Sequence, residues 1–286
     1  MSKVFYRKEN RYIDINQGGE HFLDFMYGTI PGRMLLKLIT GAWFSKLVGA
    51  YQSSFLSRGS VKKFIKKYEI DMSEFEGEKY KNFNDFFTRI RKKNDFDTDL
   101  NRLISPCDCK MTAYSISDDL AIDVKRSVYT LPELLGTSDG LDEFKRGHCL
   151  VFRLTPADYH HYVFVDDGEI IESRRIEGEL HTVHPIAYGA KIFSRNTREI
   201  HKLSTVNFGN MYYVEVGALC VGKIVNRECK TFTKGEEKGY FKFGGSTVIL
   251  LVKENIEIDA DILEQSEKGY ETVLRCGMGI GTLKNI

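Results

Sequence analysis

What this sequence lacks excludes several broad classes of protein. Its 41 lysines and arginines are balanced by 40 aspartates and glutamates, so the net charge of +1 gives no basic excess of the kind that nucleic-acid-binding proteins carry. Six cysteines scattered through 286 residues are too sparse for a disulfide scaffold, and we expect reduced thiols in a cytosolic setting. We find no internal repeat and no low-complexity linker, which leaves an ordinary globular protein with a sizeable core.

Long uncharged apolar runs are also missing. The first ten residues contain no stretch of signal-peptide length. The most apolar segment, residues 34–48, is interrupted by Lys37 and Lys46 and is shorter than the roughly 18 residues that a membrane-spanning helix needs. We therefore expect a protein that is soluble or attached to a membrane from one side.

The character of the sequence changes near residue 100. Residues 1–99 form a mainly helical N-terminal region, in which Ser60 is predicted to cap a helix over 61–68 because apolar side chains follow at i, i+3, i+4 and i+7. Residues 82–93 are predicted to form a second, short helix with phenylalanines on its apolar side. The basic residues of these segments are predicted to lie on solvated helix faces or to contact anionic lipid.

The apolar segment 34–48 has two interpretations. Its larger side chains gather on one side of a helix: Leu35, Leu38, Ile39 and Leu47, with Trp43 and Phe44 nearby. That pattern is typical of a helix packed in a core. It is equally typical of a membrane-docking element that lies in the interface with its lysines towards the headgroups. Both interpretations stay open at this point.

Residues 100–286 have the pattern of a β-rich catalytic region. Short runs with apolar and β-branched bias are predicted as strands, at 149–154, 162–165, 212–216, 221–225 and 247–252. Glycines between them indicate turns, and the close spacing favours a compact sandwich-like or barrel-like body over a βαβ sheet. The predicted fold class is α+β, with a helical N-terminal part packed on this body.

The most informative segment for chemistry is KGEEKGYFKFGGSTVILLV, residues 234–252. Glycine before serine permits a strained backbone and leaves its carbonyl open to a neighbouring hydroxyl. If Ser246 Oγ attacks the Gly245 carbonyl, the peptide rearranges to an ester. β-Elimination and hydrolysis would then leave an N-terminal pyruvoyl group. A plain turn between two strands is the commoner role of the isolated tetrapeptide GGST.

Motifs elsewhere in the chain bear on that choice. The sequence resembles phosphatidylserine decarboxylases over most of its length, most densely from about Phe83 onward. The motifs that carry this resemblance occur in the family's order: FNDFFTR (83–89), SPCD (105–108), RLTPADYHHY (153–162), GELHTVHP (178–185), Asn196 and Arg198 in RNTRE, VEVGALCVGKI (214–224) and KGEEKGYFKFGGST (234–247).

The resemblance implies a complete catalytic scheme. It implies autocatalytic serinolysis between Gly245 and Ser246, which gives a β chain of residues 1–245 and an α chain of residues 246–286. Ser246 would become a covalent pyruvoyl cofactor, and the substrate would be phosphatidylserine in a membrane. A Schiff base between that ketone and the substrate amine would lead to phosphatidylethanolamine and CO2. The expected location is peripheral, at the cytoplasmic face of the cell membrane; a homodimer is left open.

The family also implies a self-processing relay of an aspartate, a histidine and the serine. Asp108 matches the family aspartate and His160 its first histidine, with Ser246 as nucleophile. A carboxylate would orient the histidine, and the histidine would take the hydroxyl proton.

The chain departs from the family pattern at three positions. Many members carry a second histidine at the position of Val163, an arginine at that of His161, and a glycine at that of Cys109. His160 is the favoured processing base, and His161 and His181 are alternatives.

Other interpretations follow from the same residues. Asp108 could be a turn residue, and His160 a core histidine bonded to backbone. Cys107 and Cys109 have metal-like spacing, but no second pair completes a finger-type site, so no metal is predicted. The competing functions are a catalytically silent, uncleaved lipid-binding relative and a pyruvoyl decarboxylase of another amine.

Overall fold

The computed structural model describes residues 2–15, 20–77, 79–124, 127–219, 223–243 and 246–284. Gly245, on one side of the predicted cleavage position, lies outside these residues, as do Val221 and Cys220. Within the described ranges the α-helices are α1 (Glu20–Gly28), α2 (Ile30–Ile39), α3 (Ala42–Gln52), α4 (Arg58–Tyr68), α5 (Phe83–Phe87), α6 (Leu131–Leu135), α7 (Ile192–Arg195) and α8 (Ala260–Glu267).

The strands lie mainly in the second part of the chain. In order they are β1 (Ser2–Tyr6), β2 (Arg11–Ile15), β3 (Arg102–Ile104), β4 (Cys109–Ser115), β5 (Ala121–Val124), β6 (Ser127–Thr130), β7 (His148–Leu154), β8 (His161–Val163), β9 (Gly168–Ile176), β10 (Arg198–Thr205), β11 (Gly209–Val216), β12 (Ile224–Asn226), β13 (Thr231–Phe232), β14 (Glu237–Phe241), β15 (Ser246–Val252), β16 (Ile256–Ile258), β17 (Glu271–Leu274) and β18 (Gly279–Leu283). Helices together with this strand-rich part confirm the predicted α+β class.

A large mixed sheet organises the second part of the chain. Its strand order is β13-β9-β10-β11-β15-β7-β4-β17-β1-β2, and two three-stranded sheets accompany it, β12-β14-β8 and β16-β18-β3. The large sheet is open, so the barrel-like alternative is wrong for it. β15 lies near the centre, hydrogen-bonded to β11 on one side and β7 on the other.

Both faces of β15 are buried, and this explains why the strand is a continuous apolar run. Val248, Leu250 and Val252 point into one core, which also contains residues of the two small sheets. Ile249 and Leu251 point into a second core on the opposite face. This alternation follows from the two-residue period of a strand. Ser246 begins the same strand and is itself completely buried.

The N-terminal residues form a hairpin that the sequence pattern did not predict. β1 and β2 pair antiparallel, and β1 adds to the edge of the large sheet through a parallel pairing with β17. Val4 and Phe5 of β1 are buried. The mainly helical region of residues 1–99 is therefore joined to the β-rich body at its very start.

The helix bounds differ from the predicted ones for local reasons. α4 begins at Arg58 rather than after Ser60, whose hydroxyl donates to the Ser57 carbonyl instead of capping the helix. The predicted helix over 82–93 ends at Phe87, and its cap is Asn82, whose side chain accepts the Asp85 N–H. The predicted solvated face at 91–93 is wrong for Arg91, which turns inward to a carboxylate.

The apolar segment 34–48 is not one helix but parts of α2 and α3, which are separated by the extended backbone of Gly41. Most of its large side chains face solvent: Trp43 is 60% exposed and Leu38 59%. The interpretation as a helix packed in a core is therefore wrong for these residues. Together with neighbours on α1 and after α3 they form what we call the N-terminal apolar surface: Phe22, Phe25, Ile30, Met34, Leu35, Leu38, Trp43, Leu47, Tyr51, Phe55 and Leu56.

A small aromatic core joins the helices to the segment before Ser246. Phe83, Phe86 and Phe87 of α5 pack with Val61 of α4 and contact Phe243. No helix in the described ranges is long and apolar enough to span a bilayer.

Candidate active site

Ser246 occupies the first position of the central strand β15. It pairs with Leu154 at the end of β7. The chain continues from Leu154 through a loop to β8, which lies in the neighbouring three-stranded sheet beside β14. That loop carries His160, so the strand order brings two residues 86 positions apart into one buried place.

His160 contacts Ser246 directly. Its Nδ1 lies 3.1 Å from Ser246 Oγ, and its Nε2 lies 3.0 Å from the Thr155 carbonyl oxygen. A carbonyl oxygen can only accept a hydrogen bond, so Nε2 must carry the proton in the neutral ring. Nδ1 is then the unprotonated nitrogen, and it is placed to accept the proton of the Ser246 hydroxyl. This is the arrangement that activates a serine nucleophile.

Burial keeps the His160 ring neutral. Both His160 and Ser246 are completely buried, and the Phe87 ring lies against the imidazole with 4.1 Å between ring centroids. Desolvation lowers the pKa of His160 to about 3, and the nearby Asp158 carboxylate opposes this only in part. The unprotonated form is therefore present throughout the neutral range.

The loop that holds His160 is stabilised by an ion pair that is largely buried. Asp158 accepts the Thr155 N–H at 2.6 Å and the Thr155 hydroxyl at 2.7 Å. Lys110 of β4 donates to both carboxylate oxygens of Asp158, at 2.7 and 2.8 Å. These bonds fix Thr155, whose carbonyl in turn fixes the His160 tautomer. Sequence reasoning quoted Asp158 within a motif but assigned it no role.

Asp108 is not brought into contact with the other two predicted site residues. No hydrogen bond joins it to His160 or Ser246 in the part of the chain that the structure describes. Its carboxylate instead forms a two-point ion pair with Arg91, at 3.0 and 2.5 Å, and accepts the Cys276 N–H at 2.9 Å. Arg91 was missed by sequence analysis, because nothing in its local sequence distinguishes an inward-facing cation.

Asp108 is nevertheless linked to the histidine loop through one intermediate residue. The Arg91 guanidinium lies 4.5 Å from the centre of the Tyr159 ring. The backbone N–H of Arg91 donates to the Tyr159 hydroxyl oxygen at 3.3 Å. Tyr159 directly precedes His160. The Asp108–Arg91 pair therefore contacts the segment that positions the histidine.

Two departures from the family pattern occupy apolar surroundings. Val163 is buried in the core between the large sheet and the small sheet of β8, and its N–H donates to the Pro106 carbonyl at 2.9 Å. Cys109 begins β4 and is buried in the same core. Neither side chain can take a proton from Ser246 in the way that His160 can, since a valine has no titratable group and the Cys109 thiol contacts the Ser105 hydroxyl instead, at 3.7 Å.

The alternative bases lie elsewhere. His161 Nδ1 is 2.7 Å from a Glu237 carboxylate oxygen, and its ring stacks on Tyr159 at 4.7 Å. His181 lies between Glu179 and the Tyr27 hydroxyl. Among the described residues, His160 is the histidine that contacts Ser246.

Asn196 and Arg198 have structural partners rather than site contacts. The buried Asn196 amide donates to the carbonyls of His181 and Gly217, and Arg198 donates to four backbone carbonyls. Burial lowers the pKa of Arg198 to about 10. Both residues hold loops beside the large sheet.

The lowered pKa of His160 predicts an acid-sensitive contribution to stability. Between its ordinary value of 6.5 and about 3, unfolded His160 binds a proton that the folded protein does not bind. The free energy of unfolding should therefore fall as pH falls through this window, by up to roughly 1.4 kcal/mol per pH unit. Urea unfolding at pH 7 and pH 5 measures it. Between pH 7 and pH 5, the free energy of unfolding of the His160→Gln, Ser246→Ala double variant should fall by about 2 kcal/mol less than that of Ser246→Ala alone. If both proteins lost the same free energy of unfolding between pH 7 and pH 5, the lowered pKa of His160 would be contradicted.

Comparisons with known proteins agree with the motifs of the site. A family model described as phosphatidylserine decarboxylase matches residues 83–282, a range that contains Asp108, His160 and Ser246. The chain is 47% identical to phosphatidylserine decarboxylase proenzyme 2 of Clostridium acetobutylicum, over 98% of this chain and 96% of that protein. It is 42% identical to a phosphatidylserine decarboxylase proenzyme of Clostridium botulinum, over 99% of this chain and 100% of that protein. A Clostridium perfringens proenzyme of the same description is 41% identical, over 98% and 99%.

Proposed function

This chain belongs to the phosphatidylserine decarboxylase family, and from that premise we propose that it is a proenzyme that cuts itself between Gly245 and Ser246 and then decarboxylates phosphatidylserine. The observation that carries the proposal is the buried contact of 3.1 Å between His160 Nδ1 and Ser246 Oγ. A serine in an ordinary turn needs neither a neutral histidine as partner nor complete burial.

The self-cleavage uses groups that the chain already contains. His160 Nδ1 takes the Ser246 hydroxyl proton while Oγ attacks the Gly245 carbonyl carbon, and the same proton passes to the leaving amide nitrogen, which gives an ester. Loss of the Ser246 Cα proton then expels the Gly245 carboxylate and leaves dehydroalanine. Water hydrolyses the dehydroalanine, ammonia leaves, and residue 246 ends as a pyruvoyl group.

The same side chains suit the second reaction. When present, the pyruvoyl group supplies the electron sink for the pair released as CO2 leaves. Residue 246 is held at the buried start of a central strand, where hydrogen bonds to β7 fix its backbone. His160 lies beside it and can hold the proton that the product's α-carbon requires. Phe87 shields the ring from solvent.

In this proposal Asp108 acts as a positioning residue. Its partners are Arg91 and the Cys276 backbone, and Arg91 contacts Tyr159, the neighbour of His160. The hydrogen bond that orients the imidazole comes from the Thr155 carbonyl. The relay inferred from the resemblance is thus proposed to run from Thr155 through His160 to Ser246, with Asp108 supporting it from outside.

The N-terminal apolar surface is proposed to dock on the membrane that contains the substrate. Its exposed apolar side chains lie on α1–α3 and directly after α3, with Arg33 and Lys37 among them to face anionic headgroups. α3 contacts α5, which packs against His160 through Phe87. Docking would therefore bring lipid headgroups to the side of the protein on which the site lies. The described cysteines are free thiols, which supports a place at the cytoplasmic face.

Replacing two leucines of this surface should weaken membrane binding strongly. Each leucine that leaves water contributes about 1.5–3 kcal/mol. Leu38→Asp combined with Leu47→Asp should therefore reduce partitioning onto phosphatidylserine-containing vesicles by about a hundredfold or more. Flotation of the purified proteins with such vesicles measures this. The matched control is Ile171→Asp with Val206→Asp, which replaces two apolar side chains of similar exposure on elements other than α1–α3. Equal flotation of the two double variants would refute the docking proposal.

Intact mass under denaturing conditions, followed by an assay of CO2 release, tests the proposed function. Two chains and CO2 from a soluble short-chain phosphatidylserine are expected. Release of CO2 from free serine at a similar rate would favour a decarboxylase of another amine. A single full-length chain without turnover would favour the silent lipid-binding relative, for which the apolar Val163 is the structural argument.

A further inference from the structure

A cationic cavity lies between α3 and the segment that leads to Ser246. Its volume is about 380 Å³. Its walls come from α3 and the residue after it, from α5, and from the residues next to β12 and β14; they consist of Ser45, Lys46, Gly49, Ala50, Ser53, Asn84, Lys223, Lys242 and Phe243. The cavity is large enough for the polar part of a small ligand.

The lining of this cavity is suited to an anion. Lys46 reaches it from α3, and Lys223 and Lys242 reach it from the same end of the β12–β14 pair, where the Lys242 N–H donates to the Lys223 carbonyl. No acidic side chain is among the described residues that line the cavity. Ser45 is 2% exposed, and its hydroxyl has no hydrogen-bond partner in the described part of the chain. A buried hydroxyl without a partner costs free energy, so a ligand that accepts a hydrogen bond from Ser45 would remove this cost.

The two faces of α3 separate the cavity from the membrane side. Ser45, Gly49 and Ser53 follow at the four-residue spacing of one helix face. Trp43 and Leu47 of the N-terminal apolar surface lie about 200° around the helix from Ser45 and Gly49, because a helix turns about 100° per residue. An anionic group in the cavity would therefore lie directly behind the apolar surface.

The cavity is also close to the reacting position. Phe243 lines it and is three residues before Ser246, so their Cα atoms are at most about 11 Å apart. The Phe243 ring contacts Phe87 at 5.3 Å between centroids, and Phe87 contacts His160. One layer of aromatic rings thus separates the anion site from the imidazole.

We propose that this cavity binds the phosphodiester of the substrate's headgroup while the serine part reaches residue 246. In phosphatidylserine only the serine Cα, Cβ and Oγ lie between the amine nitrogen and the phosphorus, so the two groups need neighbouring sites. The proposal rests on the proposed function for the identity of the ligand. The anion site itself rests on the three lysines and the Ser45 hydroxyl.

Binding to the uncut protein tests this without catalysis. The Ser246→Ala proenzyme is dialysed to equilibrium against glycerophosphoserine, which has the headgroup and no acyl chains, and the bound ligand is quantified by its ³¹P signal. Lys223→Gln with Lys242→Gln should weaken binding about tenfold, as expected for two partly exposed ionic contacts. Lys63→Gln with Lys66→Gln on α4 removes the same charge elsewhere and should leave binding unchanged.

A steric variant separates the cavity from the general charge of the surface. A Cβ added at Gly49 would meet nothing within 4 Å, so Gly49→Leu can fill the cavity while all lysines stay and the helix is retained. It should weaken glycerophosphoserine binding at least tenfold without lowering the unfolding temperature. Ser45→Ala should weaken it less and should not destabilise the fold, because its hydroxyl has no protein partner.

The outcomes are distinguishable from those of the proposed function. Glycerophosphoserine binding that is the same in the lysine and Gly49 variants as in their parent would overturn the subsite. Inorganic phosphate that binds as tightly as glycerophosphoserine would overturn its assignment to the headgroup, since weak competition is expected. An uncut wild-type chain or missing CO2 release would defeat the proposed function, whereas the dialysis result would still decide the anion site.

Discussion

The Ser246→Ala protein is expected to stay a single chain of 286 residues, whereas the parent should separate into two chains when it is denatured. The replacement removes the only atom that the proposed chemistry uses as nucleophile, and it leaves the buried strand β15 otherwise intact. The difference should be complete, because no alternative nucleophile adjoins His160 Nδ1 among the described residues. Intact mass measures it: the smaller parent fragment has 286 − 245 = 41 residues and lacks a free amine at its start.

A conservative variant tests whether loss of cleavage in Ser246→Ala results from misfolding. Ser246→Cys keeps a nucleophile of similar size at the same position, so slow cleavage through a thioester is expected. Because the thiol is buried, an alkylating reagent added to the folded protein should not prevent this cleavage. Two fragments of unchanged length from Ser246→Ala would show that another residue cuts the chain, and the assignment of Ser246 would fail.

The second large effect is expected from His160→Gln. A positioned general base contributes about a hundredfold to ten-thousandfold to a rate, so self-cleavage should slow by that factor. Glutamine is a suitable replacement because its amide can still donate to the Thr155 carbonyl, and it cannot take a proton from Ser246. The time course of fragment appearance after synthesis, followed by denaturing gel or mass, measures the rate.

His161→Gln is the matched control for this prediction. It changes the adjacent histidine, which bonds to Glu237 and lies away from Ser246. Cleavage at the parent rate is expected. If His161→Gln slowed cleavage as much as His160→Gln, or if His160→Gln cleaved at the parent rate, the choice of base made from the structure would be wrong.

The central strand and the loop before β8 show what could be predicted from sequence. The predicted strands at 149–154 and 247–252 correspond to β7 and β15, since uninterrupted apolar, β-branched runs have few other stable environments. The motif order led to the family, which the comparisons confirm. The sequence favoured His160 as the processing base and kept His161 and His181 as alternatives, and only the geometry shows that His160 is the histidine in contact with Ser246 among the described residues.

The environment of Asp108 shows why the contacts of a site residue could not be predicted from the sequence. A motif shows that an aspartate follows Ser-Pro, but its partner Arg91 lies in a segment predicted as a solvated helix face. Helix α5 ends early, at Phe87, and the chain that follows turns Arg91 inward. The same holds for the segment 34–48, where helical periodicity is identical for a core helix and for one that exposes its apolar side.

The sequence by itself therefore determined the α+β class and the family, because these depend on local composition, two-residue periodicity and motif order. Only the tertiary structure decided which histidine meets Ser246, which tautomer it has, which residues pair with Asp108 and whether the N-terminal apolar residues are buried. The physical reason is common to all four. Each depends on contacts between segments far apart in the chain, and the free energy of such contacts is set by burial and by partners that no single segment contains.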